Sequence, residues 1–301
     1  MPDTASNQAK YPQHGSQKPG IGFPVARLLA VICLATGAVI DLAIGTYKTS
    51  ELTLFRSLLN SFAPGTLFLC DRYFDSYFML AGLVQKEFNG VIRVKTGTRK
   101  HHFVNGDEIV TWWRPKQKPD WMTKEQFEEF PEHMLVRIVT RKNITLVTTL
   151  LYKEKHPKRA LLRLYQDRWN IEVDFRTIKC TMQMDVLRCK TSEMIQKEIW
   201  MHILAYNLVR AIMMQAAREY GLVPRQISFK ATLQALHSIG ILSGKAIECN
   251  MKIFLFEVIT KNLVGNRRGR WEPKAIKRRP KPHKFLMQPR HILKQVRLKN
   301  A

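Results

Sequence analysis

Acidic residues are scarce in this chain: 24 Asp and Glu face 49 Lys and Arg, a net charge of +25 over 301 residues. An excess of that size calls for a polyanionic partner. Cysteine is sparse as well. The five (Cys33, Cys70, Cys180, Cys189, Cys249) form no Cys-x-x-Cys pair and no structural-zinc spacing, and an odd set suits a reducing compartment. Long apolar runs are missing: the longest, residues 28–40, contains Gly37 and falls short of the roughly 18 to 20 residues that a bilayer-spanning helix needs. No membrane anchor and no secretory signal is read, and the cytoplasm is the expected location. Glycine (15) and proline (14) are at ordinary levels, which excludes a collagen-like chain, and 45% apolar content excludes wholesale disorder.

The charge that is present is unevenly spread. Residues 261–301 carry fourteen Lys and Arg against one acid, Glu272, about half of the net charge. Around Arg278 and Arg279 the run KRRPKPHK is punctuated by prolines, which leaves an extended arm able to track phosphates. A solubilising tail is the ordinary alternative. Because the rest of the chain is basic too, double-stranded DNA is the favoured partner, each neutralised phosphate releasing a counterion.

Along the chain, residues 1–22 read as a polar leader loop. Two short apolar runs, 28–34 and 37–44, suggest a hairpin. A helix is expected from Ser50 until Pro64 and Gly65 stop it, then a fully apolar strand over 66–70 that ends on Asp71. A helix over about 76–88 and a strand over 91–95 follow. This order describes an α/β sheet, in which ligands collect at the carboxyl ends of strands, where Asp71 stands. The ordinary reading of Asp71 is the N-cap of the next helix. Residues 99–150 read as a β-rich insertion, with Asn105-Gly106 as a hairpin signal, and His101 and His102 as loop or surface residues. Residues 151–225 and 226–264 are helical and 265–301 form the basic tail, so that 23–98 and 151–225 become two parts of one α/β domain.

One helical stretch stands apart. On a wheel advancing 100° per residue, Tyr165, Arg168, Glu172 and Lys179 fall on a stripe about 60° wide, beside an apolar stripe of Leu164, Ile171, Phe175, Ile178 and Met182. The apolar stripe is expected to pin the helix to the sheet and hold the polar one at the border of a groove. Read alone, Arg168 and Glu172 are also an ordinary i,i+4 pair worth about 0.3 to 0.5 kcal/mol. Trp169 is expected to fill the core rather than to stack on DNA, and so are Trp112, Trp113 and Trp121.

The spacing Tyr165, Arg168, Glu172, Lys179 resembles the Tyr-Arg-Glu-Lys signature of bacterial insertion-sequence transposases of the IS-four family. The CDRY segment around Asp71 resembles that family's second catalytic Asp motif, and Lys190 to Arg210 resembles the helix after its signature. The resemblance spans nearly the whole chain. It implies a ribonuclease-H-like fold with a DDE site, in which two Asp and one Glu hold two Mg²⁺ ions that cleave and transfer DNA strands. Carried over, Asp71 and Glu172 are the second and third metal-binding carboxylates. Tyr165, Arg168 and Lys179 then grip phosphates of the transposon end, in a nucleoid-associated enzyme that works as a homodimer in synapsis.

One element of the pattern is not found. The family's first catalytic Asp lies in an Asp-Gly motif just before a segment resembling MPDTASNQ, which here begins at Met1, and neither Asp3 nor Asp41 is followed by Gly. The expectation is a truncated transposase with little strand-transfer activity and retained DNA affinity. The alternative is a non-catalytic basic DNA-binding remnant that occupies transposon ends.

Overall fold

The computed structural model describes residues 1–94, 106–141, 144–243, 249–265, 287–289, 291–293 and 295. Arg278 and Arg279, His101 and His102, and Asn105 lie outside the described residues. In chain order the elements are α1 (Ala5–Lys10), β1 (Ala26–Ile32), β2 (Val39–Thr46), α2 (Glu51–Leu58), β3 (Leu67–Cys70), α3 (Tyr77–Gln85), β4 (Asn89–Arg93), β5 (Asp107–Trp113), α4 (Lys124–Glu128), β6 (His133–Arg141) and β7 (Ile144–Thr148). Then follow α5 (Lys158–Asp167), α6 (Asn170–Arg176), α7 (Ser192–Glu219), α8 (Phe229–Ser243) and α9 (Cys249–Lys261). The fold is mixed α/β, and the chain divides into two compact units, one of residues 1–57 with 173–301 and one of residues 58–172.

The first unit is built on α7. Its residues Ile195, Ile199, Ile203, Tyr206, Val209, Met213 and Ala216 recur every three or four positions, so all fall on one stripe, and all are buried. They share a core with Val39 and Leu42 of β2, Phe229 and Ile239 of α8, and Leu255, Phe256 and Ile259 of α9. Thr191 caps α7, its hydroxyl accepting from the Met194 amide. The expected hairpin is present as β1 and β2, antiparallel from Ala26↔Thr46 to Ile32↔Val39. Its turn depends on Gly37, at φ +79°, where an added Cβ would lie 2.8 Å from the Arg210 guanidinium.

The leader read as a loop contains α1. Thr4 caps this helix by accepting from the Asn7 amide, and the fully buried Asn7 side chain donates to the carbonyls of Pro2 and Cys189, each at 3.1 Å. A polar side chain committed to backbone carbonyls in this way orders a segment that hydropathy alone leaves unstructured.

The second unit is a five-stranded sheet in the order β3-β4-β7-β6-β5. Only β3 and β4 are parallel, with Leu67↔Asn89 through Cys70↔Ile92 in register, and every other pairing is antiparallel. Strands β5 to β7, from the stretch read as an insertion, thus belong to the same sheet as the strand that ends on Asp71. Helix α5 covers one face: Leu161, Leu162 and Tyr165 pack on Val91, Val139 and Leu146, with Leu69 at the margin. Helix α3 comes close to β4 at Gly90, where an added Cβ would meet Leu80 and Leu83 at 2.9 and 3.0 Å. Within the sheet, the fully buried Arg137 of β6 donates to both oxygens of Asp107 on β5, at 2.7 and 2.8 Å, and to the His156 carbonyl just before α5.

Candidate active site

Parallel strands β3 and β4 end side by side, and their register, continued one step, places Asp71, just past β3, abreast of Arg93, the last residue of β4. Successive side chains alternate between the faces of a strand. Leu69 and Val91 pack against the core under α5, so Asp71 and Arg93, two positions further on, leave the strands toward that same face. Asp71 has an extended backbone, and its Oδ1 accepts from the Tyr73 amide at 2.8 Å, capping the short 3₁₀ turn Arg72–Phe74. The ordinary capping role of this residue is therefore filled, with the second carboxylate oxygen left over.

Helix α5 brings Tyr165 and Arg168 to the same place. Tyr165 is 7% exposed, and neither its hydroxyl nor the buried Nε of Arg168 makes a well-aligned hydrogen bond, although the guanidinium lies within reach of the phenol oxygen. The Arg168 guanidinium carbon lies 5.6 Å from the Tyr165 ring centroid. Burial pushes the Tyr165 phenol above its usual range; the Arg168 and Arg93 charges pull it back, and the Asp71 charge pushes it up. Burial likewise raises the Cys70 thiol to about 12, with Asp71 adding to the rise and Arg168 opposing it. Asp71, Arg93 and Arg168, from two strands and a helix, therefore all lie within electrostatic reach of the Tyr165 phenol. Glu172 joins through Arg168, whose NH2 is 3.7 Å from Oε1, a long pair whose carboxylate is 46% exposed and which adds little stability.

The continuous helix expected from residue 165 to 182 is broken. Arg168, Trp169, Ile171 and Glu172 donate to carbonyls three residues back, a tighter turn that separates α5 from α6, and residues Thr177–Thr181 form a wider π turn. Neither turn advances by the α-helical 100°, so the single wheel drifts out of phase. Of the apolar stripe it assigned, only Ile178 is buried; Asp174 is the residue with no exposed surface. Trp169, expected in the core, is 64% exposed, as is Trp113, while Trp121 is nearly half exposed. Trp112 packs edge-on against Tyr77, at 5.8 Å between centroids. Lys179 stands exposed on the π turn, in the first unit.

Residues 2–208 match the family model described as the transposase DDE domain. The chain belongs to the DDE transposase family. It is also 28% identical over 296 residues to the transposase InsG for insertion sequence element IS4 of Escherichia coli (strain K12), a match that covers 93% of this chain and 65% of that protein. The resemblance to the IS-four family holds, and the chain spans about two thirds of that relative's length. The mixed sheet is consistent with the ribonuclease-H-like fold of DDE transposases.

The DDE family implies dependence on a divalent metal. Among the described residues, no group of three or more His, Cys, Asp or Glu side chains is arranged to hold an ion.

Two residues of note carry no motif. Arg93 escapes notice in the sequence because its signal is a register: GVIR must first be recognised as the strand parallel to TLFLCD. Asp174 hides among apolar neighbours, and its partners Arg210 and Arg225 lie 36 and 51 residues away in the chain.

Proposed function

We propose that this chain acts on double-stranded DNA, the transposon ends and the target, as an insertion-sequence transposase, in which phosphodiester hydrolysis and strand transfer are metal-dependent. The observation that carries the reading is the meeting of Asp71, Tyr165 and Arg168 at the carboxyl end of a parallel strand pair, with Glu172 one helical turn beyond Arg168. Asp71 and Glu172 are the carboxylates this chain contributes to the metal site, and their hard oxygen donors suit Mg²⁺. Tyr165, Arg168 and Lys179 hold backbone phosphates: Arg168 with a planar fork, Lys179 as a point charge, Tyr165 through its hydroxyl. The Arg278 and Arg279 arm adds sequence-independent grip. A homodimer in synapsis and a nucleoid-associated cytoplasmic location complete the reading. Cys33, Cys70, Cys180 and Cys189 are free thiols, and no helix among the described residues is long and apolar enough to cross a membrane.

A second reading is a DNA-binding protein that occupies transposon ends without cutting them. Both predict binding to duplex DNA that weakens steeply with salt; a chain that ignores duplex DNA refutes both. Incubation with transposon-end DNA and Mg²⁺ separates them. Metal-dependent nicking that disappears in Asp71→Ala and in Glu172→Ala, with DNA binding retained, supports the enzyme. Nicking that persists in either variant removes the site assignment.

A further inference from the structure

Arg93 ends β4 abreast of Asp71, on the sheet face that α5 covers. Its cross-strand neighbour on that face is Leu146, buried beneath Tyr165. Beyond these apolar contacts Arg93 is exposed, and among the described residues it pairs with no carboxylate. Within its electrostatic reach is the Tyr165 hydroxyl, which with the neighbouring Arg168 Nε is buried and lacks a well-aligned hydrogen bond. A buried donor left unpaired costs about 1 to 3 kcal/mol, and such groups persist where a ligand satisfies them. Both guanidinium groups and the Asp71 carboxylate lie within electrostatic reach of the Tyr165 hydroxyl, and Glu172 meets only the far side of Arg168, in a long and half-exposed pair. The missing component is an anion with several acceptor oxygens.

We infer that Arg93 is a DNA-binding residue of this site, which grips a backbone phosphate alongside Arg168. The inference rests on the reading of the chain as a DNA-acting transposase and adds to it a residue outside the four-residue signature. Arg93 approaches the phosphate from the strand end and Arg168 from the helix, so the two forks fix the backbone from two directions at the point where Asp71 stands. The competing role for Arg93 is a counter-charge for Asp71 that never touches DNA.

The salt dependence of binding distinguishes these roles. Each phosphate contact contributes about 0.9 to the slope of log affinity against log salt, so losing one makes the affinity drop between about 50 and 200 mM salt roughly 3.5-fold smaller. The full chain and its R93A, R93K, R168A and K124A variants are titrated against a short labelled duplex by fluorescence anisotropy over that range, with circular dichroism melts alongside. Lys124 lies on α4, 79% exposed in a surface pair with Glu128, and serves as a distant control. The expected result is a slope lowered by about one contact in R93A and in R168A, but not in R93K or K124A, with unchanged melting. A slope unchanged in R93A while R168A lowers it overturns the role of Arg93 and leaves the DNA-binding reading intact. An equal drop in K124A also overturns it, since the contacts are then diffuse. A chain with no salt-dependent binding fails at the earlier reading instead.

Discussion

Replacing Asp174 with alanine is expected to cost the first unit a large part of its stability. The Asp174 carboxylate has no exposed surface and is held by two arginines: Arg210 NH2 donates to Oδ1 at 2.6 Å, and Arg225 NH2 donates to Oδ2 at 2.9 Å. The arginines are tied down in turn. Arg210 Nε donates to the Tyr206 hydroxyl at 2.9 Å, which donates to the Gly37 carbonyl at 2.8 Å, and Arg225 donates to the carbonyls of Cys33 and Leu34. The hairpin turn, α6, α7 and the segment before α8 thus meet on one carboxylate. In Asp174→Ala the two guanidinium groups stay buried and face each other without a counter-charge. Breaking a buried pair from one side costs about 3 to 5 kcal/mol, a large share of the 5 to 15 kcal/mol by which a domain is usually stable. Asp174→Asn keeps the shape and one acceptor oxygen and is expected to lose less, about 1.5 to 3 kcal/mol. Urea unfolding followed by circular dichroism reads both values from the shift in midpoint at constant slope. A loss below about 1 kcal/mol in the alanine variant would mean that the Asp174 carboxylate is not the shared buried counter-charge of Arg210 and Arg225, because two uncompensated buried charges cost more than that.

Three further outcomes follow from the same chemistry. Arg137 donates to Asp107 and holds its carboxyl below the usual carboxylate range; the folded state then binds its proton less readily than the unfolded chain. The stability this pair adds is present above the unfolded pKa of about 4 and is lost as pH falls further, so Asp107→Asn is expected to flatten the acid limb of a stability–pH profile; an unaltered limb counts against it. Burial raises the Tyr206 phenol to about 12, so the unfolded chain ionises first, and stability is expected to fall between about pH 10 and 12. Tyr206→Phe should lessen that fall, the raised Tyr11, Tyr77 and Tyr165 phenols accounting for the remainder. Native-state thiol labelling at mild alkaline pH should modify the exposed Cys180 and spare the buried Cys70, whose thiol is pushed to about 12; rapid loss of Cys70 would mean that β3 is not packed as described.

Much of the fold was legible because it depends on local patterns. The hairpin of β1 and β2, the apolar strand that ends on Asp71 and the capped helix after Ser76 all follow from alternation, helical periodicity and turn residues. The signature residues were legible as spacing, yet their geometry was not: the wheel assumes one unbroken helix, and a 3₁₀ step after Tyr165 and a π turn at Thr177 change the phase. The exposure of Trp169 and the burial of Asp174 are direct consequences. Helix α1 and the network around Asp174 rest on polar contacts between residues far apart in the chain, which no periodicity reports. Arg93 required knowledge of which strands are parallel neighbours.

In the proposed metal site, Asp71, at the end of a strand, and Glu172, on a helix about a hundred positions later, hold the same divalent cation. Mn²⁺ binding to the purified chain, read by the loss of the free-ion electron paramagnetic resonance signal, tests this in the chain with Asp71→Ala, with Glu172→Ala and with both. Shared coordination predicts that each single substitution weakens Mn²⁺ binding by a similar large factor and that the double substitution weakens it no further. Binding that survives either single substitution unchanged, or two losses that simply add, would contradict it.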